Sequence, residues 1–173
     1  MSLYKKLLLF IVLTTCYTLP SSNVAAEIKT GVYIENDRFT GDTTVVYSDG
    51  ISLEEPTLLV QTSAPRSDIL FQLAFVGLDG WRFLKCGSFH FLIDGKPKDL
   101  GNPIWIRDVL TGSSVVERAT FTLQNSTLEQ LAKAAKIEYK VCNDEYIFTP
   151  VQMDGLKEFV KTVTAPGTFP TKK

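Results

Sequence analysis

The chain has 173 residues, of which 45% are hydrophobic and 21% charged, and its formal net charge at pH 7 is −1. No run of Lys and Arg exceeds two residues, so the basic stripe of a nucleic-acid binder is missing from the sequence. The length suits one domain with a core of its own, and neither an internal repeat nor a low-complexity tract interrupts it.

Residues 1–26 read as a cleaved signal peptide. Lys5 and Lys6 supply a positive n-region, Leu7 to Leu13 an apolar stretch, and Val24-Ala25-Ala26 the small-residue pattern that precedes cleavage at Glu27. The apolar stretch is shorter than the roughly 20 residues a membrane anchor needs, and no later one approaches that length. The competing reading is a lipoprotein signal acylated at Cys16, but Thr15 is bulkier than the small residue expected beside such a cysteine. Cleavage removes two lysines and no acidic residue, which moves the net charge from −1 to −3. The expected location is the periplasm or the extracellular space, with no integral membrane segment left after cleavage. Of three cysteines only Cys86 and Cys142 then remain. In an oxidising compartment an even pair reads as a disulfide, worth roughly 4 kcal/mol through the loop it closes.

Residues 27–164 are expected to form a single domain that is mainly β, an antiparallel β-sandwich with two short C-terminal helices packed on it. Strands are predicted over residues 28–34, 43–47 and 57–62, then over Ile69 to Phe75. In that last run Ile69, Phe71, Leu73 and Phe75 share one face. Asp79-Gly80 and Asp94-Gly95 are dipeptides that tolerate positive φ and close hairpins. Between them "WRFLKCGSFHFL" reads as a strand, with Gly87 marking a bend or bulge. β-Branched and aromatic residues predict strands over 104–110 and 114–123, joined at Thr111-Gly112-Ser113. This many short strands argue for a sandwich or small barrel.

The period changes after residue 125. Ser126-Thr127-Leu128-Glu129 reads as a capping box opening a helix to Ala135, and residues 137–142 and 145–148 as a hairpin about Asn143-Asp144. A second box, Thr149-Pro150-Val151-Gln152, opens a helix whose Met153, Leu156, Phe159, Val160 and Val163 recur at helical spacing. Gly155 costs that helix about 1 kcal/mol relative to Ala. Residues 165–173, with Pro166, Gly167 and Pro170, read as a disordered tail. In "VVERATFTL", "LIDGK" and the stretch "STLEQLAKAAKIEYKVCNDEYIFTPVQMDGLKEF" the chain resembles small exported bacterial β-sandwich proteins whose C-terminal third runs helix, hairpin, helix. That resemblance implies a fold and carries no activity.

Catalytic motifs are missing: the sequence holds no H-E-x-x-H, G-x-S-x-G, phosphate-cradling glycine loop or C-x-x-C pair. His90 is the sole histidine, so with two cysteines a four-ligand zinc site is not to be had from N and S donors, and no metal or cofactor is implied. Cys86 as a nucleophile would need a cation beside its thiol, and Lys85 falls on the opposite strand face. Glu35-Asn36-Asp37-Arg38 with Asp42 lacks the ligand order of a calcium loop and reads as a solvated turn. Asn125-Ser126-Thr127 matches a glycosylation triplet, though Ser126 is explained more simply as a cap.

Four residues remain as candidate binding residues. Alternation places Glu117 on the inward face with Val115, Ala119 and Phe121, where a carboxylate must be paired, with Arg82 or Arg107 as the available cations. Trp105 is either core or a platform for a sugar ring. The expectation is a non-enzymatic exported protein that binds another protein or an envelope component. The competing class is a carbohydrate-binding or glycoside-hydrolysing domain using Trp105 and Glu117. Intact mass of the protein recovered from the exported compartment should correspond to a chain beginning at Glu27. A mass retaining Met1, or a lipidated chain beginning at Cys16, would refute the signal-peptide reading.

Overall fold

The computed structural model describes residues 29–64, 68–110 and 112–169. The signal peptide read from residues 1–26 lies outside them, as does the end of the tail from Pro170. Six strands form one antiparallel sheet in the order β1-β2-β3-β4-β8-β7. They are β1 (Gly31–Asn36), β2 (Thr43–Ser48), β3 (Thr57–Ala64), β4 (Ile69–Gly77), β7 (Ile104–Val109) and β8 (Val115–Leu123). A second sheet has the order β10-β9-β5-β6, from β5 (Phe89–Ile93), β6 (Lys96–Lys98), β9 (Ile137–Val141) and β10 (Asp144–Ile147). The helices are α1 (Asn125–Lys133) and α2 (Pro150–Thr164). The fold is thus mainly β, two antiparallel sheets with both helices in the C-terminal third, as the alternation and the change of period predict.

Register turns the alternation into layers. Leu58, Leu73, Ala119 and Trp105 form one cross-strand row on the inner face of the large sheet, and Tyr47, Val60, Phe71 and Phe121 form the next. Phe75, Glu117 and Arg107 form a third row. The small sheet meets these rows with Phe89, Phe91, Ile93, Ile137, Tyr139 and Val141. Rings from opposite sheets contact edge to face, Phe89 with Phe121 at 5.2 Å between centroids and Phe91 with Phe121 at 5.4 Å. Such pairs contribute about 0.5–1.5 kcal/mol each beyond the area they bury.

Helix α2 completes the second layer, packing on β1, β2 and β3 and against α1. Its start is built as the sequence predicts. Thr149 accepts from the Gln152 amide at 3.2 Å, the Gln152 side chain accepts from the Thr149 amide at 3.0 Å, and Pro150 is the first helical residue. Buried Gln152 also donates to Asp49 Oδ2 at 2.7 Å and to the Pro56 carbonyl at 2.9 Å, tying the helix to the β2–β3 loop. Burial holds the Asp49 carboxyl above its ordinary range, partly offset by the Gln152 side chain and the Leu58 amide that donate to it. Gly155, a propensity cost in the sequence, is a packing requirement: a Cβ there would fall on the ring of buried Tyr47, whose hydroxyl donates to the Val151 carbonyl at 3.1 Å.

Four expectations need correction. Ser126 is not the cap of α1. Only Gln124 separates β8 from the helix, so Gln124 takes the N-cap position without a side-chain cap, and Glu129 pairs with Lys133 instead. Asp94-Gly95 does close the β5–β6 hairpin with φ of 49° and 74°, but Asp79-Gly80 closes none. "WRFLKCGSFHFL" becomes a strand only from Phe89, because residues 78–88 are held as a loop by side chains described below. Residues 165–169, read as disordered, turn back on α2. Thr168 donates to the Thr162 carbonyl at 2.7 Å and Phe169 packs against the core.

Cys86 and Cys142 form a disulfide with Cα atoms 6.0 Å apart, joining that loop to the β9–β10 turn. Replacing Gly155 by Ala tests the packing of α2. The substitution raises helix propensity but forces a methyl into Tyr47, so the chemical denaturation midpoint should fall, by about 1–3 kcal/mol of stability. An unchanged or raised midpoint would refute the close contact.

Candidate functional site

The sequence candidates converge where β7 and β8 meet the loop of residues 78–88. Glu117 is only 1% exposed, and its carboxylate faces inward from β8 as alternation predicts. Oε2 accepts from the Arg82 amide at 2.7 Å and the Phe83 amide at 3.0 Å, while Oε1 lies 3.3 Å from the Phe83 amide and 3.2 Å from Arg107 Nε. Arg107 is also the cross-strand neighbour of Glu117, so sheet register brings the pair together. Its Nη2 donates to the Phe83 carbonyl at 3.2 Å, closing a ring of carboxylate, guanidinium and loop backbone.

Arg82 therefore meets Glu117 through its backbone, while its side chain turns to the small sheet. There Nη2 donates to Asp144 Oδ2 at 2.7 Å and to the Tyr146 hydroxyl at 3.0 Å. Burial pushes the Tyr146 hydroxyl above its ordinary pKa, and the Arg82 charge pulls the other way. Trp105 lies half-buried below the loop, its ring 5.7 Å from Phe89, 6.0 Å from Phe83 and 5.0 Å from the Arg107 guanidinium. Gly87 lies directly over this indole, and a Cβ on it would come 2.8 Å from the indole nitrogen. Its role is close approach, not the strand bulge read from the sequence.

Glu117 lines none of four surface depressions formed by the described residues. One, of about 330 Å³, lies on the outer face of the small sheet. Its lining includes His90, Leu92, Lys140, Glu145, Tyr146 and Ile147. The Tyr146 side chain itself points the other way, stacking on Tyr139 and meeting Arg82 on the inner side. Another, of about 340 Å³, lies between α1, α2 and the end of the large sheet and is lined mainly by apolar groups, Phe169 among them.

The remaining candidates separate from this site. His90 is exposed on β5 in a row with Lys140 and Glu145, and Cys86 is consumed in the disulfide. Asp37 Oδ1 accepts from the Phe39 and Thr40 amides of its own turn, which hold its carboxyl below the ordinary range. Among the described residues no group of three or more His, Cys, Asp or Glu side chains is placed to hold a metal ion, and no helix is long and apolar enough to cross a membrane. Asn125 of the glycosylation triplet is the first residue of α1.

Sequence reasoning named Glu117, Trp105 and two candidate cations, Arg82 and Arg107, of which Arg107 is the one that pairs with the carboxylate, but not the rest of what binds it. Two of its donors are loop amides, and no side-chain pattern signals them. Fold and site together define a two-sheet antiparallel β protein whose inward carboxylate anchors a loop. Comparison with protein-family models, curated proteins and solved structures yields no match for this chain.

Replacing Glu117 by Gln keeps the shape but sets an amide NH₂ against N–H donors and leaves Arg107 without its counter-charge. Stability should fall by about 3 kcal/mol, against no more than about 0.5 kcal/mol for Glu145→Gln on the exposed face. Denaturant midpoints measure both, and equal small losses would remove Glu117 from its anchoring role.

Proposed function

We propose that this chain is an exported, non-enzymatic β-sandwich protein of the periplasm or extracellular space that binds another protein or an envelope component. The observation that carries the non-enzymatic half is the saturation of Glu117. Its oxygens are engaged by two backbone amides and a guanidinium, and it is almost wholly buried. A general acid or nucleophile must reach a substrate atom and, in glycoside hydrolysis, face a second carboxyl across the scissile bond. A carboxylate engaged in this way serves the fold. The n-region, apolar stretch and small-residue pattern of residues 1–26 support export, and the disulfide suits an oxidising compartment.

The depression on the small sheet is where we place binding. Leu92 and Ile147 give it apolar surface, Lys140, Glu138 and Glu145 give it charge of both signs, and His90 adds a polar ring. Mixed charge around apolar side chains suits a protein surface better than a sugar, which would be met by an open aromatic face. Trp105 instead has loop backbone above it. A photo-crosslinking residue at Ile147 in the native compartment should capture a protease-sensitive partner, and Lys140→Glu should abolish the product. If envelope oligosaccharides instead quench Trp105 fluorescence or are hydrolysed, the glycan reading replaces this one.

A further inference from the structure

The two sheets have four edges, and two of them are blunted by their own residues. β6 is Lys96-Pro97-Lys98, in which Pro97 lacks an N–H and the lysines oppose edge pairing. β10 is four residues long and begins Asp144-Glu145. β1 lies against α2. β7 differs: it is six residues of sequence IWIRDV, without Pro or Lys, and it pairs only through β8. Among the described residues no backbone hydrogen bond from a loop reaches Ile104–Val109. Its outward side chains Ile104 and Ile106 are 69% and 39% exposed, and Val109 at its end is 67% exposed. Exposed apolar side chains beside an open backbone edge are the features of a strand that pairs with another.

We propose that β7 pairs antiparallel with β7 of a second copy of this chain, about a twofold axis normal to the sheet at Ile106. Such an axis keeps each sheet face on its own side, so the register must centre on a residue, and charge decides which one. Centring on Arg107 sets guanidinium against guanidinium, which is destabilising between directly opposed strands. Centring on Trp105 sets indole against indole and draws Pro103 into the ladder. Centring on Ile106 places each Arg107 opposite the second copy's Trp105, repeating across the axis the cation–ring contact already present within one chain at 5.0 Å. It also sets Ile106 against Ile106 on the outer face. Strands this short bury less than the roughly 1,200–2,000 Å² of a stable complex, so the dimer forms reversibly with concentration. The inference rests on the edge alone and is independent of the binding role of the small sheet.

Sedimentation equilibrium on the mature chain should show a monomer–dimer equilibrium, and Ile106→Lys, which opposes two lysines at the axis, should weaken it about tenfold or more with the circular dichroism spectrum unchanged. Cysteine substitution reads the register. Directly opposed Cα atoms lie about 4.5–5.5 Å apart, within disulfide range, so oxidised Ile106→Cys should form a covalent dimer. Ile104→Cys, whose opposite is Asp108, should not. A monomer up to the solubility limit, a dimer that survives Ile106→Lys, or equal cross-linking at both positions would overturn the proposal.

Discussion

The inward carboxylate of Glu117 is the interaction on which the rest of the site depends. A charge buried between two sheets is tolerated only when its lone pairs are engaged, and here two amides of residues 82–83 and the Arg107 guanidinium engage them. The same contacts fix where the loop lies. Once Phe83 is held, its ring enters the core beside Phe75 and Trp105. Gly87 then passes over the indole, and Cys86 is brought to Cys142. Removing the carboxylate would release not one ion pair but the path of a whole loop.

The core is shared unequally between the two halves of the large sheet. Over β4, β8 and β7 the second layer is the small sheet with its aromatic rings, and over β1 to β3 it is α2. A helix packed directly on a sheet needs a place where backbone and ring can approach, and Gly155 against Tyr47 provides it. The capping box at Thr149 adds a second attachment, because Gln152 both closes the helix end and holds Asp49 of the β2–β3 loop. The outer faces differ as well. That of the small sheet carries His90, Lys140 and Glu145, while the outward side of β7 carries isoleucines.

Much of this was legible from local pattern. The alternation of Ile69 to Phe75 and of Val115 to Leu123 marked the two longest strands and turned Glu117 inward, since a period of two leaves no other choice. Thr149 to Gln152 announced α2 because its cap is satisfied within four residues. What misled was equally local in appearance. Ser126 to Glu129 has the composition of a cap, yet β8 runs so close to α1 that the helix starts before it. Asp79-Gly80 has the composition of a hairpin turn, but the strand to follow it is pulled away by Glu117 and Arg107.

The sequence by itself determined the class of fold, the faces of its strands and the inward carboxylate, because each follows from side chains a few residues apart, and it paired Cys86 with Cys142 on the expectation that Cys16 leaves with a signal peptide. Only the tertiary structure decided that loop amides complete the coordination of Glu117 and that Gly87 and Gly155 are sites of contact. It also decided that β7 is an edge strand with exposed isoleucines. Those facts depend on backbone groups and strand order brought together across the chain, and no local pattern encodes a neighbour that arrives from 35 residues away.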